Sequence, residues 1–345
     1  MMPGDRTFTF TRIVPGLCFA EDRRAALASP FTKSGPATKV YQSRFPVRRR
    51  SLEFMDQVVC HAFAVEVMPL LLCSMGAISR GVDLSDHQHF VRTGGTLAAD
   101  GLEVMIFDHW YQRFDRIAAD FNASGIRIPA THAEKNLGPN LASDDASLAT
   151  ETLARYSENC RFTHLLGGNR TVLHLWGLPE SDRVIDRMLV MLPELVDRAA
   201  EHGVQLAVES IPCLVDDPLM NIQRVVERDR RARVALDTEF LSMHRQLDAA
   251  LDADWLWEHN AVFHVHIKDF LDPQHVDPSK RRYLQPGDGD IDFPAWFGRL
   301  AERGYAETIS LEAPANREDG SVDTDRLNAS LGYLRARIAD AWTSS

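Results

Sequence analysis

Eight short apolar runs recur along the chain, each followed by a loop and most of them by an amphipathic helical stretch. They span residues 68–73, 102–107, 125–129, 171–175, 204–209, 234–237, 262–266 and 308–312. Strands that alternate with helices need crossover connections, so their sheet is parallel, and eight such units argue for closure into a barrel. The helical period is plain in 181–202, where Val184, Met188, Leu189, Leu192, Leu195, Val196 and Ala199 share one face. Residues 293–303 read as another helix. Residues 323–342 read as a closing one, with Leu327, Leu331, Leu334 and Ile338 on its inner side. The expected fold is therefore α/β, a single-domain (β/α)8 TIM barrel over 51–345. Residues 1–50 show no period and are broken by Pro and Gly. They are expected to form a disordered or loosely attached N-terminal extension, and their Arg-rich, acid-poor character also suits a targeting peptide.

Charge narrows the partners. The net charge is −11, and residues 1–50 carry ten Lys/Arg against three Asp/Glu, which leaves −18 for residues 51–345. Such a body has nothing to gain from a nucleic acid or an anionic membrane. The apolar stretch 58–75 is interrupted by His61, Glu66 and Pro69, so it reads as a buried strand with flanks, not as a span. The five cysteines, Cys18, Cys60, Cys73, Cys160 and Cys213, form no C-x-x-C pair, which fits a reduced, cytoplasmic setting. The expected partner is a small molecule, and self-association into a homo-oligomer is left open.

The chemistry sits at the strand ends. The fifth run ends in Glu209 and the sixth in Asp237, 28 positions later; the seventh ends in His266, 29 positions on, and the eighth in Glu312. In a parallel barrel all these C-terminal ends meet on one rim. A single acid ending a strand most often caps a loop or pairs at the surface. Four such residues on consecutive strands are different, because three like charges on one rim repel unless a cation holds them. Three carboxylates and one imidazole suit Mn²⁺, Co²⁺, Mg²⁺ or Zn²⁺, with positions left open for substrate oxygens.

These runs resemble a known family. Ala207-Val-Glu209-Ser-Ile-Pro212, Leu236-Asp237-Thr238, His264-Val-His266-Ile-Lys268-Asp269, Gly287-Asp-Gly-Asp-Ile-Asp292 and Ser310-Leu-Glu312 are similar to motifs of the xylose-isomerase-like barrel superfamily. That group includes sugar-phosphate isomerase/epimerase proteins, inosose dehydratases, dehydroshikimate dehydratases and nucleases of the endonuclease IV type. The resemblance runs over about residues 65–342. It implies that Glu209, Asp237, His266 and Glu312 hold one divalent metal ion, and that His264 packs or orients. It also implies substrate contacts, or in the nucleases a further metal, for His132 and His174. Lys268 and Asp269 are expected to stabilise the loop by ion pairing, with Lys268 able to meet an anionic substrate group. Arg281 or Arg282 is expected to hold a carboxylate or phosphate with its planar fork. Trp110 is expected in the core, and Gly287–Asp292 as a turn into the helix at Phe293. Two positions depart from the superfamily's epimerase pattern: Phe240 stands where many relatives have His, and Val215, followed by Asp216, where ketose epimerases have a second acid.

The function expected is a metal-dependent isomerase or epimerase of a small sugar, polyol or keto-sugar, working through an enediolate with Glu209 and Glu312 as acid and base. The alternative is a dehydratase acting on an inosose or dehydroshikimate. A DNA-repair nuclease is disfavoured by Phe240 and by the acidic body.

Overall fold

The structure is a computed structural model and describes residues 68–177, 180–271 and 283–343. Eight strands, all parallel, close into a barrel in sequence order. They are β1 (Leu70–Ser74), β2 (Gly101–Met105), β3 (Ala130–His132), β4 (Arg170–Leu173), β5 (Gln205–Glu209), β6 (Arg233–Asp237), β7 (Val262–Ile267) and β8 (Thr308–Leu311). β1 pairs with β2 on one side and with β8 on the other, which completes the ring. The expectation for residues 1–50 lies outside the described residues. Of the apolar stretch 58–75, Leu70–Ser74 is β1, and among the described residues no helix is long and apolar enough to cross a membrane.

The third strand is not where the apolar run placed it. Residues 125–129 precede it: Gly125 caps the helix Phe114–Ser124 with φ +75°, a conformation that glycine adopts without strain. Pro129 offers no N–H to a ladder, so pairing begins at Ala130, opposite Glu103 and Arg170. The helix expected at 181–202 starts later, at Ile185, because Ser181 has φ +52° and forms a bridge to Gly177. Its buried face, Met188, Leu192, Leu195 and Ala199 among others, is the expected one, as is that of Thr324–Trp342.

The two-residue repeat of a strand decides what enters the barrel. Val172, Ala207 and Ala235 form a small buried cluster in the middle of β4, β5 and β6. Two positions further along each of these stripes stand His174, Glu209 and Asp237. His264 and His266 do the same on β7. The small side chains below leave the larger polar ones room at the mouth.

The Gly287–Asp292 turn is built on Asp269. Its carboxylate accepts the backbone N–H groups of Phe270, Gly287, Gly289 and Ile291 at 2.8–3.2 Å. Asp292 then caps the helix Phe293–Glu302. Asp269 thus does not pair with Lys268 as expected: neighbouring residues leave a strand end on opposite sides, and Lys268 turns inward. A Cβ at Gly289 would lie 2.4 Å from Asp269 Oδ1 and 2.5 Å from the Phe270 carbonyl. Gly289→Ala is therefore expected to lower stability by about 1–3 kcal/mol, as for an overpacked site, measured by denaturant unfolding. An unchanged midpoint would show that the turn yields freely.

Candidate metal centre

Glu209, Asp237, His266 and Glu312 converge at the C-terminal mouth, with one ligand atom of each within 4.8 Å of the others. His266 Nδ1 lies 2.8 Å from Glu209 Oε1, 3.6 Å from Glu312 Oε2 and 4.0 Å from Asp237 Oδ2. Glu312 stands one residue past β8, yet its N–H still donates to the Ile267 carbonyl, so the ladder continues through it. Asp237 divides its carboxylate between two tasks. Oδ1 accepts the Phe240 N–H at the start of the helix Thr238–Met243. Oδ2 is buried and has no hydrogen-bond donor aimed at it, although Lys268 Nζ is only 2.5 Å away. Distance makes that contact an ion pair; its direction keeps it from being a hydrogen bond.

Lys268 is the largest departure from the expected layout. It lies buried among the acids, paired with Asp237 and Glu312 and 4.0 Å from Glu239. The sequence carries the signal for it: His264, His266 and Lys268 continue one inward stripe at a period of two. Glu103 on β2 has a weaker signal, a single carboxylate within an otherwise apolar run, and sequence reasoning missed it. Fully buried, it accepts from His266 Nε2 at 2.9 Å and from Ser310 Oγ at 2.8 Å, with His264 Nε2 at 3.4 Å. His264 itself sits below the centre, its Nδ1 2.6 Å from Thr308 Oγ1. It is buried there, which fits the expected packing role.

Burial works against charge on every one of these groups, and the neighbours decide the outcome. At Glu209 burial is outweighed by His266 and His174, which hold the carboxyl well below the usual carboxylate range. Burial loses also at Glu312, where Lys268 and His266 hold the carboxyl down at about 2. Asp237 goes the other way. Burial, added to the charges of Glu209, Glu312 and Glu239, pushes it up to about 7 in spite of Lys268. Against the same burial, Glu103, Glu312 and Glu209 raise His266 well above an ordinary imidazole, and Asp237 and Glu312 raise Lys268.

The donor set fits a divalent cation. Asp237 offers a buried oxygen with no directed donor, and three acids share one pocket with an imidazole whose other nitrogen is bound to a carboxylate. Such a carboxylate–histidine pair fixes the ring and raises its basicity toward a metal. Glu103→Gln, which keeps the shape and removes the charge, is expected to weaken Mn²⁺ binding about 10- to 100-fold by titration of the purified protein. Unchanged affinity would leave Glu103 a core residue only.

The structure also brings in His132 and His174. His174 Nε2 is 2.6 Å and His132 Nε2 3.3 Å from Glu209 Oε2, and the two imidazole nitrogens are 3.2 Å apart. Arg281 and Arg282 lie outside the described residues. Trp110 is core: its Nε1–H donates to the Leu84 carbonyl, and its ring meets Phe90 and Phe107. Asp216 is 3.7 Å from Arg224, and the exposed Val215 gives its N–H to Asp182, so neither supplies a second acid to the mouth. Phe240 lines the cavity over the candidate ligands, its ring centre 4.6 Å from Lys268 Nζ. That cavity, of about 220 Å³, is bounded by Glu209 and Glu312 below, with Met105, Phe240 and Pro314 giving it apolar walls.

A family model for the xylose isomerase-like TIM barrel matches residues 95–337. No curated protein matches the sequence. Solved structures do resemble it in fold. A xylose isomerase domain protein from Alicyclobacillus acidocaldarius superposes with a TM-score of 0.62 at 17% identity, over 79% of this chain and 99% of that one. A 3-keto-D-glucoside 4-epimerase from E. coli gives 0.58 at 17% identity, over 78% and 99%. An IOLI protein with a bound zinc atom gives 0.58 at 16%, over 80% and 98%. At these identities the likeness is one of architecture.

Proposed function

The chain belongs to the xylose isomerase-like TIM barrel family, and from that premise we propose that it is a metal-dependent isomerase or epimerase of a small polyol or keto-sugar. One observation carries the reading: Glu209, Asp237, His266 and Glu312 converge within 4.8 Å, and two of them line a cavity of small-molecule size at the mouth of the barrel. The IOLI structure's zinc and the epimerase among the structural neighbours agree with it. Glu209, Asp237, His266 and Glu312 would hold one Mn²⁺, Co²⁺, Mg²⁺ or Zn²⁺ ion. Bound there, such an ion would supply Lewis-acid polarisation of a substrate carbonyl, which would make the adjacent C–H more acidic.

The chain's own residues supply the rest. Glu209 and Glu312 both reach the cavity, so either carboxylate can take the proton from carbon; the acid so formed returns it to the neighbouring carbon, or the partner, once protonated from solvent, delivers one to the opposite face. His174, which lines the cavity beside Glu209, would hold a substrate hydroxyl, with His132 behind it against the same carboxylate. Phe240 and Met105 would give the reacting carbon an apolar wall. A dehydratase begins with the same proton removal, and its product, lacking one water, distinguishes it.

The cluster of His132, His174 and Glu209 favours one further reading, a second metal and phosphodiester hydrolysis. Against it, the cavity is sized for a small molecule and the chain is acidic. The deciding experiment is metal analysis of the purified protein, then a screen of keto-sugars, inososes and dehydroshikimate in deuterated solvent. Deuterium entering the substrate next to the carbonyl is the expected result. A metal-loaded enzyme that exchanges no proton on any of them, yet cuts an abasic-site duplex, would replace this reading with the nuclease.

A further inference from the structure

We propose that Arg80 and Lys135 form an oxyanion subsite at the rim of the cavity, so that the substrate carries a carboxylate or phosphate as well as its oxygens for the metal. The inference rests on reading this cavity as the catalytic site. Both residues line the same cavity as Glu209 and Glu312. They come from the loops after β1 and β3, which open on the mouth of the barrel.

The charges already explained in the cavity do not account for these two. Lys268 is engaged by Asp237 and Glu312, and His266 lies between Glu209 and Glu103. Arg80 and Lys135, by contrast, are exposed, and among the described residues no carboxylate lies within 4 Å of either charged group. In a chain with a net charge of −11, two cations over one cavity without a carboxylate partner among the described residues are a local reversal of sign, which concentrates anions there.

Arg80 is also held in place. Its guanidinium lies 3.9 Å from the centre of the Tyr283 ring, and its carbonyl accepts from Asn316 Nδ2 at 3.0 Å. A planar fork fixed against an aromatic face can take two oxygens of a carboxylate or phosphate side by side. Lys135 adds a point charge on a flexible aliphatic stem at the same rim. The layout is bipolar: acids for a cation below, cations for an anion above. A neutral sugar would leave the upper half unused.

The test uses the full chain, with and without Mn²⁺, and three probes of one carbon skeleton: glycerol, glycerate and glycerol 3-phosphate. Dissociation constants are measured for wild type, Arg80→Met, Lys135→Met and the double variant, together with the Mn²⁺ affinity of each. The expected result is tighter binding of one or both anions than of glycerol, falling about 10- to 100-fold in each single variant while Mn²⁺ affinity stays at the wild-type level. The anion that binds tighter names the group. If wild type prefers neither anion, or the double variant binds them as wild type does, the subsite is refuted. Mn²⁺ binding without anion preference sinks this inference alone. Anion preference without Mn²⁺ binding supports the subsite and sinks the metal-dependent reading.

Discussion

Glu209→Gln and Glu312→Gln are expected to keep part of their metal binding while turnover falls by about 10²- to 10⁴-fold, the usual contribution of a positioned acid or base. The amide that replaces each carboxylate still offers an oxygen to the cation but cannot take a proton. Asp237→Ala and His266→Ala should fail differently. The first removes a buried oxygen that no donor is aimed at, and the second removes the nitrogen between Glu209 and Glu312. Both should lose the cation and turnover with it. The measurement is a titration of Mn²⁺, Co²⁺ and Zn²⁺ into chelated wild type and the four variants, following melting temperature and bound metal. The metal should raise the wild-type melting temperature, because only the folded barrel gathers ligands from four strands. No stabilisation of wild type by any of the three ions would refute the site. Binding by Asp237→Ala as tight as wild type would mean its ligands are elsewhere.

The second large effect concerns Lys268. In metal-free protein its ammonium is buried against Asp237 and Glu312, and removing one member of a buried charge cluster leaves the others uncompensated. Lys268→Met is therefore expected to destabilise the metal-free protein by about 3–5 kcal/mol. Saturating Mn²⁺ should recover much of that loss, since a dication replaces the missing charge. Denaturant unfolding with and without metal reads both numbers, and equal losses in the two states would contradict the account.

The pH dependence follows from the same cluster. Glu312 is depressed to about 2, so its stabilising contribution is present above its ordinary 4.5 and lost as pH falls toward 2. Asp237 has the opposite sign. Raised to about 7 from 3.8, it favours the folded state below 3.8, and that contribution is lost as pH rises through 7. Metal must displace this proton, and that of the raised His266 as well. Affinity for Mn²⁺ should accordingly climb about tenfold or more per pH unit between 5 and 7. A flat profile would show that neither ligand is protonated in the free protein.

Much of the molecule was legible in the order of its residues. Strand–helix alternation repeated eight times leads to a closed parallel barrel, and closure brings every strand end to one rim. The acids ending the fifth, sixth and eighth runs, with the imidazole ending the seventh, therefore had to meet. A strand's period of two also separates His266 from Asp269 and places Lys268 on the inner stripe, a conclusion the sequence supported but an expectation of loop pairing obscured. The third strand was misplaced because an apolar run is only a statement about burial. Whether it pairs depends on a glycine at positive φ and a proline without an N–H.

Other features belong to the tertiary structure alone. Glu103 lies 163 positions from His266, and nothing local ties a carboxylate on the second strand to an imidazole on the seventh. Arg80 and Lys135 share a cavity with Glu312 only because three loops open on the same mouth. Protonation was likewise undecidable from residue types: Glu312 near 2 and Asp237 near 7 are both carboxyls at strand ends. They differ because Coulomb interactions depend on distance and on exclusion of water. Sequence determined which groups reach the rim. Only the packed barrel decided how close they come, and with that which of them holds its proton.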